Sequence, residues 1–415
     1  MAIPLGILPH DSFKALVGSA TLNRYRGDPR VRVTSRANFD EMKNHIVSLY
    51  DGVDAEHSYE DPSGRVVDCI PIEQQPSLRG RPGPNAAPPD LTPVLQGQPP
   101  AQTAQLPLTP GEDRRRDRHG NPMSAPAGTI PMRRVTIEDV SRFASLSDFL
   151  LKQPGTFDTA PSVPGPDVGS NHRYAYTEQT ADNLGGHNSL AVYAPAVNAD
   201  QVFSLAQHWY SGGDGDQHQT IEVGWQVYPA KYGHANPVIF TFWTSDNYKT
   251  TGAYNLDAPG FVQTNNNWTL GGTLSPVSVQ GGQQMEIEVT VYLFAGNWWI
   301  YLGGITAADA VGYYPTALYG AGQLASNAQV LKFGGETVCQ AVAWPGMGSG
   351  AFPADGWQHA AYQRNIYYFP KAGGAAWAGL TPEQPSPDCY KLSLASAAAP
   401  WGIYFFYGGT GGGNC

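Results

Sequence analysis

Charged residues are scarce in this sequence of 415 residues, and the basic ones are unevenly placed. Lys and Arg number 25 and Asp and Glu 35, which gives a formal net charge of −10. Residues 1–160 hold 18 of the 25 basic residues, so the formal charge is −1 for residues 1–160 and −9 for residues 161–415. The shortage of basic residues in the second part argues against a nucleic-acid-binding surface there. A sparsely charged chain also has few ion pairs to lose in acid, which permits activity at low pH.

Long apolar runs and cysteines are few as well. No run reaches the roughly 18 apolar residues of a membrane-spanning helix, so we expect no membrane span. The apolar start Met1–Pro9 is too short for a signal peptide and lacks the basic residues of one. The four cysteines are Cys69, Cys339, Cys389 and Cys415. Four cysteines allow three sets of disulfide pairings.

Two familiar catalytic motifs are missing. The sequence has no His-Glu-x-x-His zinc motif and no Gly-x-Ser-x-Gly nucleophile elbow. Asp214, Asp216 and His218 have a spacing that could bind a cation, but a turn before the next strand is the better interpretation. We therefore expect neither a metal ion nor a cofactor.

The chain divides by composition into four parts. Residues 1–76 contain an amphipathic helical pattern, Phe39–Tyr50, and a short strand pattern, which predict a small α+β lobe. Residues 77–127 are rich in Pro, Gly and Ala and predict an extended linker that is accessible to proteases. Residues 128–165 form a connecting segment with one or two short helices. Residues 166–415 carry short strands separated by Gly and Asn turns, which is typical of an antiparallel β-sandwich or jelly roll.

The stretch from Thr220 to Pro229, TIEVGWQVYP, alternates with the period of a β-strand. One face is apolar and would enter the core. The other face carries three polar side chains and a glycine that leaves room for an approaching group: Glu222, Gly224, Gln226 and Tyr228. An ordinary sandwich strand with a solvated outer face is the alternative interpretation.

A second stretch, Val330–Val338, is an apolar run that two glycines interrupt. Gly334 and Gly335 stand directly before Glu336, and paired glycines in a strand mark a bulge or a close approach of another backbone. Glu222 and Glu336 each lie on a strand in which a nearby glycine leaves space beside the carboxylate. The two glutamates are therefore a candidate acid/base pair.

At these residues the sequence resembles the neprosin family of glutamic endopeptidases, which cleave next to proline. The matching pieces follow the family's order and spacing: Thr220–Pro229, Phe240–Thr244, Gly260–Thr264, Gly296–Trp299, Val311–Pro315, Phe333–Glu336 and Met347–Gly350. Upstream, Ser63–Cys69 with Gln75–Pro76, and also Gly128–Arg134, resemble the activation region of the family. Each motif alone is weak, but the ordered set is specific.

The resemblance implies a secreted precursor of an acid-active peptidase. Glu222 and Glu336 match the catalytic glutamates of the family, residues 1–76 its inhibitory pro-domain, and residues 77–127 the region cut during maturation. The partners that we expect are a proline-containing peptide or protein substrate and the chain's own pro-domain as an intramolecular inhibitor. We expect no nucleic acid, no membrane and a monomer.

The resemblance also implies a disulfide between Cys389 and Cys415, which match a bridge near the C-terminus of the family. Cys69 and Cys339 then remain. They could bridge the two parts of the chain or stay as thiols.

Amide hydrolysis needs an activated water, stabilisation of the carbonyl oxygen and a proton for the leaving nitrogen. Two carboxyl groups held close cannot both ionise easily, so one keeps its proton and the pair titrates as a unit. We expect Glu222 and Glu336 to hold the attacking water between them, one as base and the other as acid. Which glutamate takes which role stays open.

Further residues are candidates for contact with the substrate. Four would bind the substrate or support the oxyanion: Gln226, Tyr228, Trp243 and Tyr314. For the first two, packing within the strand is an equal alternative, whereas the last two could stack on a proline ring. Aromatic residues out of phase with the core could also line a groove for a peptide or a sugar chain, and these are Trp209, Tyr228, Trp243, Trp268, Trp298 and Tyr313.

Two other functions stay open at this point. A sandwich-type glycoside hydrolase would use Glu286 and Glu288, which share one strand face, since retaining enzymes hold two carboxyl groups about 5 Å apart. In a non-enzymatic, lectin-like surface binder, Glu222 and Glu336 would have no catalytic role. A solvated strand face is the simpler interpretation of Glu286 and Glu288.

Overall fold

A computed structural model describes residues 6–79, 84, 86–95, 116–152, 171–198, 201–340, 343–413 and 415. These residues form a small N-terminal lobe built on a three-stranded sheet, and one large curled antiparallel sheet. The prediction of a mainly β, antiparallel fold with a small α+β region at the N-terminus is confirmed.

The helices are short and belong mostly to the N-terminal lobe. The described residues contain α1 (His10–Gly18), α2 (Leu22–Tyr25), α3 (Arg36–Leu49), α4 (Ile137–Val140), α5 (Leu146–Leu150) and α6 (Pro229–Tyr232). Helix α3 begins after Ser35, whose hydroxyl accepts a hydrogen bond from the N–H of Asn38. Its buried residues are the four that the periodicity predicts: Phe39, Met42, Ile46 and Leu49. No helix in the described part of the chain is both long and apolar enough to span a bilayer.

The N-terminal sheet contains β1 (His57–Glu60), β2 (Val66–Pro71) and β3 (Thr129–Arg133) in that order. Strand β3 comes after the proline-rich linker, yet it pairs with β2 along its whole length. Residues on both sides of the linker therefore build one lobe. Helices α4 and α5 follow β3, and each begins with a capping box, at Thr136 and Ser145.

The large sheet contains all the remaining strands. They are β4 (His172–Ala191), β5 (Gln201–Gly212), β6 (Gln219–Val227), β7 (Val238–Thr244), β8 (Ala253–Tyr254), β9 (Val262–Gln263), β10 (Glu286–Phe294), β11 (Asn297–Leu302), β12 (Ala310–Pro315), β13 (Ala328–Cys339), β14 (Ala361–Pro370), β15 (Ala376–Trp377), β16 (Thr381–Glu383), β17 (Lys391–Ser396) and β18 (Ile403–Gly408). The main order is β8-β7-β6-β5-β13-β4-β10-β11-β12-β9. Strands β14 and β16 pair with β4, β15 and β18 pair with β14, and β17 pairs with β18.

The long strand β4 curls this sheet. Its first half pairs with β13 and its second half with β10 and β14, and its register with β13 shifts between Ala328 and Val330. Side chains from β6 and β10 consequently meet in one core. Trp225 lies there fully buried, as the alternation predicts, and its indole N–H donates to the carbonyl oxygen of Ala191 at 2.9 Å.

Five of the six aromatic residues predicted to face outward are buried. Trp209 alone among them is partly exposed, whereas Tyr228, Trp243, Trp268, Trp298 and Tyr313 are 0–8% exposed. The prediction is wrong for these five because the lobe, the loops and the curled sheet cover both faces of the strands. Tyr228, for example, packs against Phe143 of the lobe.

Cys389 and Cys415 form a disulfide with a Cα–Cα distance of 5.3 Å. Cys69 and Cys339 are buried thiols and are not joined to each other. The Cys339 sulfur lies 3.3 Å from the carbonyl oxygen of Ala343, and burial raises the pKa of Cys69 far above its usual range. The alternative in which these two cysteines bridge the parts of the chain is therefore excluded.

Candidate active site

Glu222 of β6 and Glu336 of β13 contact the same ammonium group, that of Lys152. The Lys152 Nζ is in contact with Oε2 of Glu222 and lies 2.7 Å from Oε2 of Glu336. All three side chains are at most 5% exposed. The Oε2 atoms of the two glutamates therefore both lie within hydrogen-bond distance of one point, the position of this Nζ.

Cross-strand register brings the two glutamates together. Glu222 pairs with Trp209 of β5, and Glu336 pairs with Leu205 of the same strand. Because side chains alternate along a strand, residues 205, 207 and 209 share one face. Both carboxylates therefore project to the face that carries Gln207.

Glycines flank Gln207 on both neighbouring strands. It pairs with Gly224 of β6 and with Gly334 of β13. A Cβ atom on Gly224 would lie 2.0 Å from the carbonyl oxygen of Ala206, and one on Gly334 would lie 2.4 Å from Tyr176. The close approach of the strands thus requires glycine at both positions, as the paired glycines of β13 suggest in the sequence.

Gln207 itself connects the charged groups. Its Oε1 accepts a hydrogen bond from Lys152 at 3.2 Å, and its Nε2 lies 3.5 Å from Oε2 of Glu336. Sequence reasoning missed this residue. Its position opposite two glycines is the signal that could have found it, but that signal appears only once the strand register is known.

Hydroxyl groups hold Glu222 on the side away from Lys152. Its Oε1 accepts hydrogen bonds from Thr220 at 3.0 Å and from Tyr248 at 2.7 Å. Burial and the charge of Glu222 raise the pKa of Tyr248 well above its usual value, so this hydroxyl keeps its proton. Asn247 and Tyr248 have φ values of 60° and 61°, in the left-handed region that costs energy for residues other than glycine.

Asp246 holds this strained loop in place. Its carboxylate accepts backbone hydrogen bonds from Lys249, Thr250 and Thr251 at 2.9–3.2 Å, and also the hydroxyls of both threonines. Burial would raise the pKa of Asp246, but these hydrogen bonds lower it below its usual value. The loop therefore presents Tyr248 to Glu222 in one fixed position.

Glu336 has a different set of partners. Its Oε1 lies 2.7 Å from Nδ1 of His172 and accepts a hydrogen bond from Tyr174 at 3.2 Å. Burial would raise the pKa of Glu336, but the Lys152 ammonium and His172 outweigh burial and lower it to about 2. Burial likewise disfavours the charged form of Lys152, and the two carboxylates outweigh it and raise the pKa of the lysine. At neutral pH both Lys152 and Glu336 are therefore charged.

Two of the predicted substrate contacts lie beneath the N-terminal lobe. Gln226 shares the face of Glu222, but its Nε2 donates to the hydroxyl of Tyr232 at 2.7 Å. Tyr228 is 2% exposed, and its ring lies 5.5 Å from that of Phe203. Neither makes a hydrogen bond to Glu222 or Glu336 within the part of the chain that the structure describes.

The other two predicted contacts lie on the core side. Trp243 pairs with the core residue Ile221, so alternation turns it away from the face of Glu222. Tyr314 is fully buried, and its hydroxyl lies 3.1 Å from Oγ1 of Thr241. The structure does not bring either aromatic residue to the carboxylates. Trp209, the cross-strand neighbour of Glu222, is partly exposed on the correct face.

Glu286 and Glu288 form no comparable site. Glu286 is 1% exposed and forms an ion pair with Arg364, whose Nε donates to it at 2.9 Å, and Tyr362 donates at 3.0 Å. Glu288 is 6% exposed, and burial together with the charge of Glu286 raises its pKa to about 7. Among the described residues, no three His, Cys, Asp or Glu side chains are grouped so that they could hold a metal ion.

A model of the Neprosin family matches residues 200–410. Among solved structures, scytalido-glutamic peptidase with a transition state analog inhibitor is 9% identical, over 57% of this chain and 97% of that one, with a TM-score of 0.30. SCP-B, a member of the Eqolisin family of peptidases in complex with the tripeptide Ala-Ile-His, is 10% identical over 58% of this chain and 98% of that one, with a TM-score of 0.30. At such TM-scores neither structure transfers any property to this chain.

Proposed function

The chain belongs to the neprosin family, and we propose that it is a secreted glutamic endopeptidase that cleaves next to proline and is made as an inactive precursor. The observation that best supports this proposal is the contact of one ammonium group, that of Lys152, with both Glu222 and Glu336. A single cation next to the N-terminal lobe thereby occupies the position between the two carboxylates that the chemistry needs.

In the mature enzyme a water molecule replaces the ammonium group between the two glutamates. Without that positive charge the neighbouring carboxylates cannot both ionise, and the pair keeps one proton in acid. The ionised glutamate takes a proton from the water as its oxygen attacks the peptide carbonyl. The protonated glutamate gives its proton to the leaving nitrogen, so that the pair as a whole ends with the proton count with which it began.

Neutral donors beside the glutamates suit the same reaction. The amide of Gln207 and the hydroxyl of Tyr248 lie within hydrogen-bond distance of the carboxylates. Fixed donors of this kind orient a carboxylate and stabilise the developing oxyanion. Trp209 provides a partly exposed ring next to Glu222 on which the pyrrolidine ring of a substrate proline can stack.

The precursor is inactive in this account because the lobe holds Lys152 in the site. We call the large sheet and its connecting loops the large domain. Arg133 of β3 lies 3.5 Å from Asp257 of this domain, and Lys231 of the same domain lies 2.8 Å from that aspartate. Lys231 also donates to the carbonyl oxygen of Phe149, three residues before Lys152, at 2.8 Å. Buried charged contacts thus anchor the end of the lobe next to the glutamates.

Maturation then requires a cut on the C-terminal side of Lys152. A cut within 77–127, of which residues 80–83, 85 and 96–115 lie outside the described residues, would leave Lys152 joined to β4 through the intervening chain. A cut between residues 152 and 171 separates the whole lobe, including β3, from the large sheet. Residues 153–170 also lie outside the described residues.

An activity assay on acid-treated full-length protein tests the proposal. We expect cleavage of a proline-containing peptide, with no cleavage after Glu222→Gln or Glu336→Gln. Peptide cleavage that survives both substitutions refutes the assignment. Cleavage of a β-glucan that disappears in Glu286→Gln would instead favour a glycoside hydrolase.

A further inference from the structure

A second surface of the large domain is occupied by a peptide that belongs to this chain. Residues 86–95 of the proline-rich linker and Leu78 pack on aromatic side chains of β11, β12 and β14. We call this group the outer aromatic face, and it consists of Trp299, Tyr301, Tyr313, Tyr367 and Phe369. All five residues are at most 3% exposed while the linker is in place.

The linker peptide is held by its main chain and by one side-chain anchor. Leu91 is fully buried, and its N–H donates to the carbonyl oxygen of Ile305 at 3.0 Å. The hydroxyl of Tyr301 donates to the carbonyl oxygen of Pro89 at 2.8 Å. Main-chain hydrogen bonds around a buried side chain are a general way to recognise an extended peptide.

The outer aromatic face also keeps a donor that the described residues of the linker do not use. Trp299 is fully buried, and within the described residues its indole N–H has no hydrogen-bond acceptor. Buried polar groups are paired in the large majority of cases, so an unpaired one calls for an explanation. A carbonyl oxygen of a different peptide could satisfy this group.

The outer aromatic face is distinct from the site of Glu222 and Glu336. On β11 it uses Trp299 and Tyr301, whereas the intervening Ile300 enters the main core. Glu222 lies on β6 and Glu336 on β13, and neither strand contributes a residue to the outer aromatic face. The two surfaces therefore lie on different strands of the large sheet.

We propose that the outer aromatic face is an exosite that binds an extended proline-rich segment with a leucine two residues after a proline. The linker sequence Pro89-Asp90-Leu91 occupies it in the precursor. A proline-rich substrate polypeptide occupies it once the lobe and linker have left. Proline-rich segments dock on aromatic surfaces because their extended conformation is largely formed before binding. The inference rests on the proposed function, since it assigns the ligand as substrate.

Binding in trans to the full-length chain tests the exosite without any need for catalysis. Leu91→Asp should release residues 86–95, which increased hydrogen exchange or protease cleavage in that segment would report. A synthetic peptide of residues 86–95 should then bind this variant saturably and should not bind the wild-type chain, whose face is occupied. The same peptide carrying Leu91→Asp should bind at least tenfold more weakly. Adding Tyr301→Phe to the full-length variant should weaken binding about fivefold through the lost hydrogen bond.

Two results of this experiment would overturn the exosite. One is that the released chain does not bind the peptide. The other is that the wild-type chain binds it equally well, which would locate binding elsewhere. Thermal unfolding of both full-length variants establishes that they are folded, and Tyr301→Phe keeps the ring so that it tests the hydrogen bond alone.

Competition in processed protein tests the role in substrate binding. The peptide of residues 86–95 should raise the KM for a long proline-rich substrate and leave the KM for a short peptide substrate unchanged. Equal inhibition of both substrates would mean that the peptide binds at the glutamates, and would overturn the proposal. If no peptide bond is cleaved at all, the proposed function fails, whereas the binding experiment still decides whether the face binds proline-rich peptide.

Discussion

The Nζ of Lys152 lies 2.7 Å from Oε2 of Glu336, although 184 residues separate them along the chain. This buried ion pair ties the end of the N-terminal lobe to the large sheet. The same ammonium group also contacts Glu222, so Lys152 is a counter-ion that both glutamates share. The ion triad is therefore a structural connection, and in the proposed function it also blocks the site, which gives the first prediction.

Lys152→Met should activate the full-length chain at a higher pH than the wild type requires. The substitution removes the ammonium group that two buried carboxylates share, and removal of one partner of a buried ion pair costs about 3–5 kcal/mol. We expect weaker attachment of the lobe and earlier release on acidification. The measurement is the pH at which peptide cleavage begins.

A matched control is Lys249→Met. Lys249 pairs with Asp216, and both side chains are more than half exposed, so the loss of that pair should change neither stability nor activation. Equal activation pH values for Lys152→Met and the wild type would contradict the inhibitory role of Lys152.

Acid should loosen the lobe between about pH 4.5 and pH 2. The pKa of Glu336 falls from 4.5 to about 2 in the folded chain, so its stabilising contribution is present above about pH 4.5 and is lost as the pH falls through about 2. The shift corresponds to roughly 3 kcal/mol. Hydrogen exchange of β3, measured as a function of pH, should report the loosening, and Glu336→Gln should flatten this dependence. Unchanged exchange of β3 from pH 5 to pH 2 would be inconsistent with the account.

Glu288→Gln should stabilise the protein at pH 8 and have little effect at pH 4. Burial and the charge of Glu286 raise the pKa of Glu288 from 4.5 to about 7. Its contribution to stability is therefore present below about pH 4.5 and is lost as the pH rises through about 7, which costs roughly 3 kcal/mol at higher pH. Denaturant unfolding at the two pH values measures this effect. Glu286→Gln should instead destabilise the protein at both, because it leaves the buried guanidinium of Arg364 without its carboxylate.

Tyr248→Phe should lower kcat about 10- to 100-fold and move the acid limb of the pH–activity profile to higher pH. The hydroxyl of Tyr248 donates to Glu222 at 2.7 Å, and a hydrogen bond to a carboxylate favours its charged form. Tyr193→Phe is the control, since that hydroxyl donates to Gln284 and not to the glutamates. An unshifted profile would mean that Tyr248 serves only to pack the loop.

Local patterns allowed much of the fold to be predicted. The alternation around Glu222 assigns Trp225 to the core correctly, and helix α3 buries the predicted face. Strand β7 shows the limit of such patterns. Its sequence VIFTFWT is apolar on both faces, so the orientation of Trp243 cannot be read from it.

The centre of the candidate site depends on contacts between distant parts of the chain, which local patterns do not reveal. Lys152 stands in a segment without motif, 70 residues before Glu222, and only tertiary packing brings it to the glutamates. Gln207 becomes recognisable only when the register of β5 with β6 and β13 is known. Nothing in the sequence names the group of the lobe that reaches the glutamates, and in the structure it is an ammonium group.

The most direct test of the central claim is the turnover of Glu222→Gln, Glu336→Gln and the double variant on one proline-containing peptide. All three should be processed identically with an added protease, so that a failure to mature is not mistaken for a failure of chemistry. If the two carboxyl groups act on one water, each single substitution should lower kcat by about 10³ or more, and the double variant should be little worse than either, because residues that act as a unit are not additive. A single variant that keeps kcat within tenfold of the wild type would contradict the account.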